Sequence, residues 1–187
     1  MKKLITICLL LTTAFTSQAQ QNINEIIDDC PKPTIQQITR IFMSIYERTI
    51  PTEESGLGYK YQEDLYEMSC VDIKNDSKEV AYQKIRNMWN KYREEFSCSH
   101  FSGVSLPNAN LLKFSIDVGF PSFLENAVKK YKLDMNFKDP INGETIMDFL
   151  IDQLESYKAG GFVSKVEEYD RIYKLLQVYG AKHAKDL

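Results

Sequence analysis

Apolar residues recur three and four positions apart along most of the chain, and this spacing predicts helices. Ile35, Ile38, Ile41, Phe42, Ile45 and Tyr46 form a first stripe, opened by Pro33-Thr34, with Thr34 as cap, and stopped by Pro51. Thr52 to Tyr59, with Gly56 and Gly58, reads as a loop. A short apolar set follows at Leu65, Met68, Ser69 and Val71, then a polar turn, Lys74-Asn75-Asp76-Ser77, whose Asp76 or Ser77 can cap the next helix. That helix is long and carries Ala81, Ile85, Met88, Trp89, Tyr92 and Phe96. Phe101 to Asn110 reads as an extended connection. Leu111 to Val118 is a short apolar helix ending at Gly119, and Pro121 suits the first turn of its successor, which bears Phe123, Leu124, Ala127, Val128 and Tyr131. Leu133 to Gly143 is a second extended, turning stretch with alternating character. Ile146, Phe149, Leu150, Leu154 and Tyr157 mark the next helix, broken at Gly160-Gly161. The last holds Val166, Tyr169, Ile172, Tyr173, Leu176 and Tyr179 and stops at Gly180.

The order in the second half is short helix, longer helix, extended turn, twice over. Asn108-Ala109-Asn110-Leu111-Leu112-Lys113-Phe114-Ser115 aligns with Gly143-Glu144-Thr145-Ile146-Met147-Asp148-Phe149-Leu150. The two starts, at Asn110 and Thr145, are about 35 residues apart, against roughly 33 for an ankyrin unit. Here the chain resembles the ankyrin-repeat family. Gly143 to Asp148 is similar to the family's Gly-x-Thr-Pro-Leu-His start. Gly119-Phe120 is similar to its Gly-His turn between helices. Asp134-Met135-Asn136-Phe137-Lys138-Asp139 resembles its hairpin finger, and Leu175 to Ala181 resembles its Leu-Leu-x-x-Gly-Ala ending. The chain departs from the family at Ile146 and Leu111, which stand in place of Pro, and at Asp148 and Lys113, which stand in place of His.

The resemblance covers Pro107 to Ala181 and extends weakly to Glu63–Phe96, read as a degenerate first unit. The expected fold is therefore mainly α: a stack of two or three ankyrin-like units over residues 61–187, with residues 20–60 as an N-terminal helical cap and loop. A repeat stack needs such a cap because each unit buries its face only against a neighbour.

The N-terminus changes the expected compartment. Met1-Lys2-Lys3 is a short positive region, Leu4 to Phe15 is apolar, and Ser17-Gln18-Ala19 offers small residues for cleavage. Residues 1–19 thus read as a cleaved secretory signal, whose apolar core is too short to span a bilayer. The mature domain is expected in the periplasm or outside the cell. The whole chain carries 23 basic and 26 acidic residues, and loss of Lys2 and Lys3 makes it more acidic. Such a domain does not attract nucleic acid or anionic lipid, and no stable membrane insertion is expected after cleavage. An exported chain is allowed disulfides. Cys70–Cys98 is the preferred pair because both flank the predicted helix between them. Pairings of Cys30 with either stay open, as does a set of three buried thiols.

Candidate chemistry is sparse. There is no His-Glu-x-x-His, Gly-x-Ser-x-Gly, phosphate loop, dinucleotide fingerprint or Cys-x-x-Cys. Cys98-Ser99-His100 supplies two metal ligands where zinc wants three or four. His183 lies in a polar tail past the last helix. No metal or cofactor is expected, and a Cys–His nucleophile is the sharpest enzymatic alternative. The resemblance implies instead a binding scaffold whose partner is a protein, met by fingertips and short inner helices. Carried over position by position, that surface comprises Asn108, Lys113 and Asp117 from one unit, and Lys138, Asp139, Asn142, Glu144 and Asp148 from the next. Polar residues on turns held by stacked helices make a rigid face in any case. A basic partner suits the acidic domain, such as a secreted toxin to be neutralised or an envelope enzyme to be helped. A self-assembling structural protein is the other alternative.

Overall fold

The computed structural model describes residues 30–47, 60–96 and 110–187. The segment expected to be an export signal, Cys98, His100 and Asn108 lie outside the described residues. Among the described residues, seven α-helices form where the apolar spacing places them: α1 (Ile35–Glu47), α2 (Lys60–Met68), α3 (Lys78–Tyr92), α4 (Leu111–Asp117), α5 (Ser122–Lys129), α6 (Ile146–Ala159) and α7 (Val163–Val178). No strand element occurs among the described residues, so the protein is mainly α.

Local chemistry sets the ends. Thr34 and Gln37 form a reciprocal cap at the start of α1: the Gln37 amide donates to the Thr34 hydroxyl (3.2 Å), and the Thr34 amide donates to the Gln37 side chain (2.9 Å). Ser77 accepts from the Val80 amide at α3. Asn110 accepts from the amides of Leu112 and Lys113 at α4. Gly119, Gly161 and Gly180 end α4, α6 and α7 with positive φ, and each is followed by an amide that reaches back to close the last turn. Cys70 takes the same left-handed position after α2, at φ 51°, although it has a side chain.

The packing follows from one continuous apolar cluster that runs from Ile38 to Ala181. α1 packs on α2 and on α4, α4 on α5 and on α6, and α5 and α6 both on α7. Tyr61 of α2 meets Phe123 of α5 edge-on, and the Asn126 amide donates to the Tyr61 hydroxyl at 3.0 Å. α1 and α2 therefore form a helical pair in front of α4–α5. The sequence reading had joined α2 to α3 as the first unit, but α2 packs on both. α3 leaves the row and lies along residues 131–137. Its Trp89 indole N–H donates to the Asp134 carbonyl (2.9 Å), Arg93 pairs with the Asp134 carboxylate (2.7 Å), and Arg86 donates to the Tyr131 carbonyl (3.1 Å). A buried indole is stable only when its N–H finds an acceptor, and the extended stretch supplies one.

The disulfide corrects the preferred pairing. Cys70 bonds to Cys30 rather than Cys98, with Cα atoms 5.9 Å apart and 40 residues between them in sequence. Cys30 precedes α1 and Cys70 follows α2, and the packing of those two helices brings their far ends together. Flanking α3 gives Cys70 no such neighbour. The helix would hold its two ends more than 20 Å apart at about 1.5 Å per residue.

Candidate functional site

The stretch from Leu133 to Glu144 is the finger of the molecule. Leu133, Met135 and Phe137 are buried, while Asp134, Asn136 and Lys138 point outward, the two-residue alternation of extended chain. The finger then turns. The Asp139 amide donates to the Glu144 carbonyl and the Gly143 amide to the Asp139 carbonyl, both at 2.8 Å. Gly143 has φ +74° and open space where a Cβ would go. Its requirement is conformational rather than steric. Asp139 also accepts the Ile141 amide on Oδ1 (2.9 Å), and Asn142 accepts the Glu144 amide (3.1 Å).

Beneath this turn lies Lys113. Its ammonium group donates to Asp139 (3.2 Å), Asn142 (3.1 Å) and Glu144 (3.0 Å). The Lys113 side chain is 1% exposed and that of Asp139 0%, whereas Glu144 is 35% exposed. Three donors on one nitrogen therefore tie helix α4 to both arms of the turn.

This arrangement corrects part of the expected contact surface. Lys113 and Asp139 cannot touch a partner because no solvent reaches them. Glu144 and Asn142 face inward through their Lys113 contacts and outward through the rest. Asp148 is also committed: its carboxylate accepts from the Thr145 amide (2.9 Å), the Ala184 amide (3.0 Å) and the His183 ring at Nδ1 (2.8 Å). Lys138 and Asp117 are exposed. Pro140 and Ile141, which the sequence reading did not single out, are exposed at the tip, Ile141 by 45%.

His183 links two groups, since its Nε2 lies 2.9 Å from the Tyr173 hydroxyl. With Nδ1 protonated toward Asp148, Nε2 accepts from Tyr173. The Asp–His–Tyr chain fastens the C-terminal tail to the start of α6 and the side of α7. Asn136 fastens the same tail to the finger: its side-chain oxygen accepts the Lys182 amide (2.9 Å) and its NH2 donates to the Gly180 carbonyl (3.1 Å). Histidine here holds the tail in place through these two contacts.

Burial pushes the Asp148 carboxyl up, but the amide donors of Thr145 and Ala184, with His183 and the Thr145 hydroxyl, outweigh it and bring the pKa down to about 2. A depressed carboxylate contributes stability that is complete above its unfolded pKa and is lost as pH falls through the folded one. Asp148→Asn is therefore expected to flatten the acid loss of stability between about pH 4 and pH 2. Thermal melts at stepped pH check this, and profiles that overlay would contradict it.

Other chemistry is thin. No group of three or more His, Cys, Asp or Glu gathers to hold a metal among the described residues. No helix among them is long and apolar enough to cross a membrane. A shallow groove of about 260 Å³ on the outer face of α1 is lined by Gln36, Thr39, Arg40, Met43 and Ser44, away from the finger. No protein-family model matches the chain, and neither a curated protein nor a solved structure matches it.

Proposed function

We propose that the chain is an exported scaffold of the cell envelope that binds another protein through its finger, built as a degenerate ankyrin-like stack. The helical pairs α1–α2, α4–α5 and α6–α7 are its units, and α3 is an insertion that braces the finger. In support, the first helices touch in the order α1, α4, α6, and the second helices meet through Tyr61 on Phe123 and through α5 on α7. Export rests on the N-terminal signal pattern and agrees with the Cys30–Cys70 bond, since such bonds persist in oxidising compartments.

The observation that carries the binding reading is the exposed tip Lys138-Pro140-Ile141 on a turn held from below by buried Lys113. A tip fixed before contact loses little conformational freedom on binding. The partner would offer an apolar pocket for Ile141 and a basic rim. Asp152 and Glu155, exposed on α6 within two turns of Asp148, would face that rim. A toxin antidote and a helper of an envelope enzyme both fit this description.

The test is affinity capture from an envelope extract with residues 20–187, wild type beside Ile141→Asp. Loss of one retained partner with at least about tenfold weaker binding is expected for a central anchor residue. Equal retention by a variant with an unchanged melting curve would refute the finger as the contact. A second reading, self-assembly, is favoured by apolar residues exposed on helices at the two ends of the row, Ile35 and Met43 on α1 and Val178 on α7. The Cys-dependent enzyme has lost two of its candidate nucleophiles, because Cys30 and Cys70 are bonded to each other.

A further inference from the structure

We propose an anion-binding site where α2, α3 and α5 meet, built by Lys78 and Lys130 around the Tyr82 ring, with a carboxylate or phosphate group as its ligand. The two ammonium nitrogens lie 5.7 and 5.5 Å from the centre of that ring. Lys130 also sits 5.0 Å from the centre of the Tyr131 ring. Rings hold cations on their faces, but they do not neutralise them.

The pair has no countercharge among the described residues. Lys84, Lys113, Lys129, Lys165 and Lys174 each hold a carboxylate. Neither Lys78 nor Lys130 forms an ion pair with a described residue, and Lys130 donates instead to the neutral Gln62 side chain at 2.7 Å. Nearby Arg86 likewise has only neutral acceptors, the Tyr131 carbonyl and Gln83. Glu79 is the carboxylate whose charge reaches the Tyr82 hydroxyl, yet it pairs with neither lysine.

The site is also partly dry. Lys130 is half-buried, and burial, followed by the charge of Lys78, holds its amine below the usual range. Under it the Tyr131 hydroxyl is fully buried with no hydrogen-bond partner, and its ring stands edge-on to Tyr82 at 5.3 Å. Buried polar groups are normally paired. The charge of Lys78 reaches Lys130 over this low-dielectric floor, and an anion bound beside the ring would relieve that repulsion.

The experiment is an NMR titration of the full chain with inorganic phosphate, and separately with citrate, at constant ionic strength. Saturable amide shifts are expected at residues 78–82 and 130–131 with one of the two probes, and the probe that saturates assigns the ligand class. Lys78→Gln, at an exposed position whose loss does not endanger folding, should weaken that binding by at least about tenfold, the scale of one lost charge-assisted contact. Shifts spread over lysines across the surface, shifts unchanged in the variant, or no saturation with either anion would overturn the proposal.

Discussion

Lys113→Met is expected to lower the unfolding free energy by about 3–5 kcal/mol, the cost of breaking a buried ion pair by removing one partner. The reason is Asp139, whose side chain has no exposure and would be left buried without its cation. Glu144 would suffer less because water reaches it. The double change Lys113→Met, Asp139→Asn is expected to recover most of the loss. Asparagine keeps an oxygen for the Ile141 amide and leaves no naked charge. Urea titrations of the three proteins decide it. A single variant within about 1 kcal/mol of wild type, the scale of an exposed pair, would mean that Lys113 is solvated after all.

Removing the Cys30–Cys70 bond as the double serine variant is expected to cost about 4 kcal/mol, from the entropy of a closed loop some 40 residues long. The left-handed backbone at Cys70 adds a second, separable effect. Without the bond, Cys30→Ser with Cys70→Gly should be about 1 kcal/mol more stable than the double serine, because glycine adopts that conformation without a Cβ penalty. Equal stability of the two variants would show that the left-handed turn relaxes once the bond is gone.

The helices were legible because their causes are local. Thr34, Ser77, Asn110 and Thr145 each precede an apolar stripe and each stands at the start of a helix, and Gly119 and Gly180 stop helices where the stripe ends. The extended stretch was legible from its alternation. Lys113 was misread because a lysine in a polar pattern suggests solvent. The signal lay in its neighbours: Leu111, Leu112, Phe114, Ser115 and Ile116 leave α4 no outward face, and a helix apolar all round is buried. The disulfide depended on which helix pairs with α2, a tertiary choice between α1 and α3 that spacing does not encode. The His183–Asp148 contact joins residues 35 apart through docking of the tail. A histidine in a polar tail carries no mark of that. Ile141 was passed over because the expected contact surface was drawn from polar residues alone, Asp139, Asn142 and Glu144 among them.

The central claim is that a finger locked by Lys113 presents its tip to a protein partner. A photo-crosslinking side chain at position 141, compared with one at position 174 on the exposed face of α7, tests it most directly in intact cells. One discrete adduct from position 141, absent at position 174, is the expected result. No adduct at 141, or the same adducts from both positions, would contradict it.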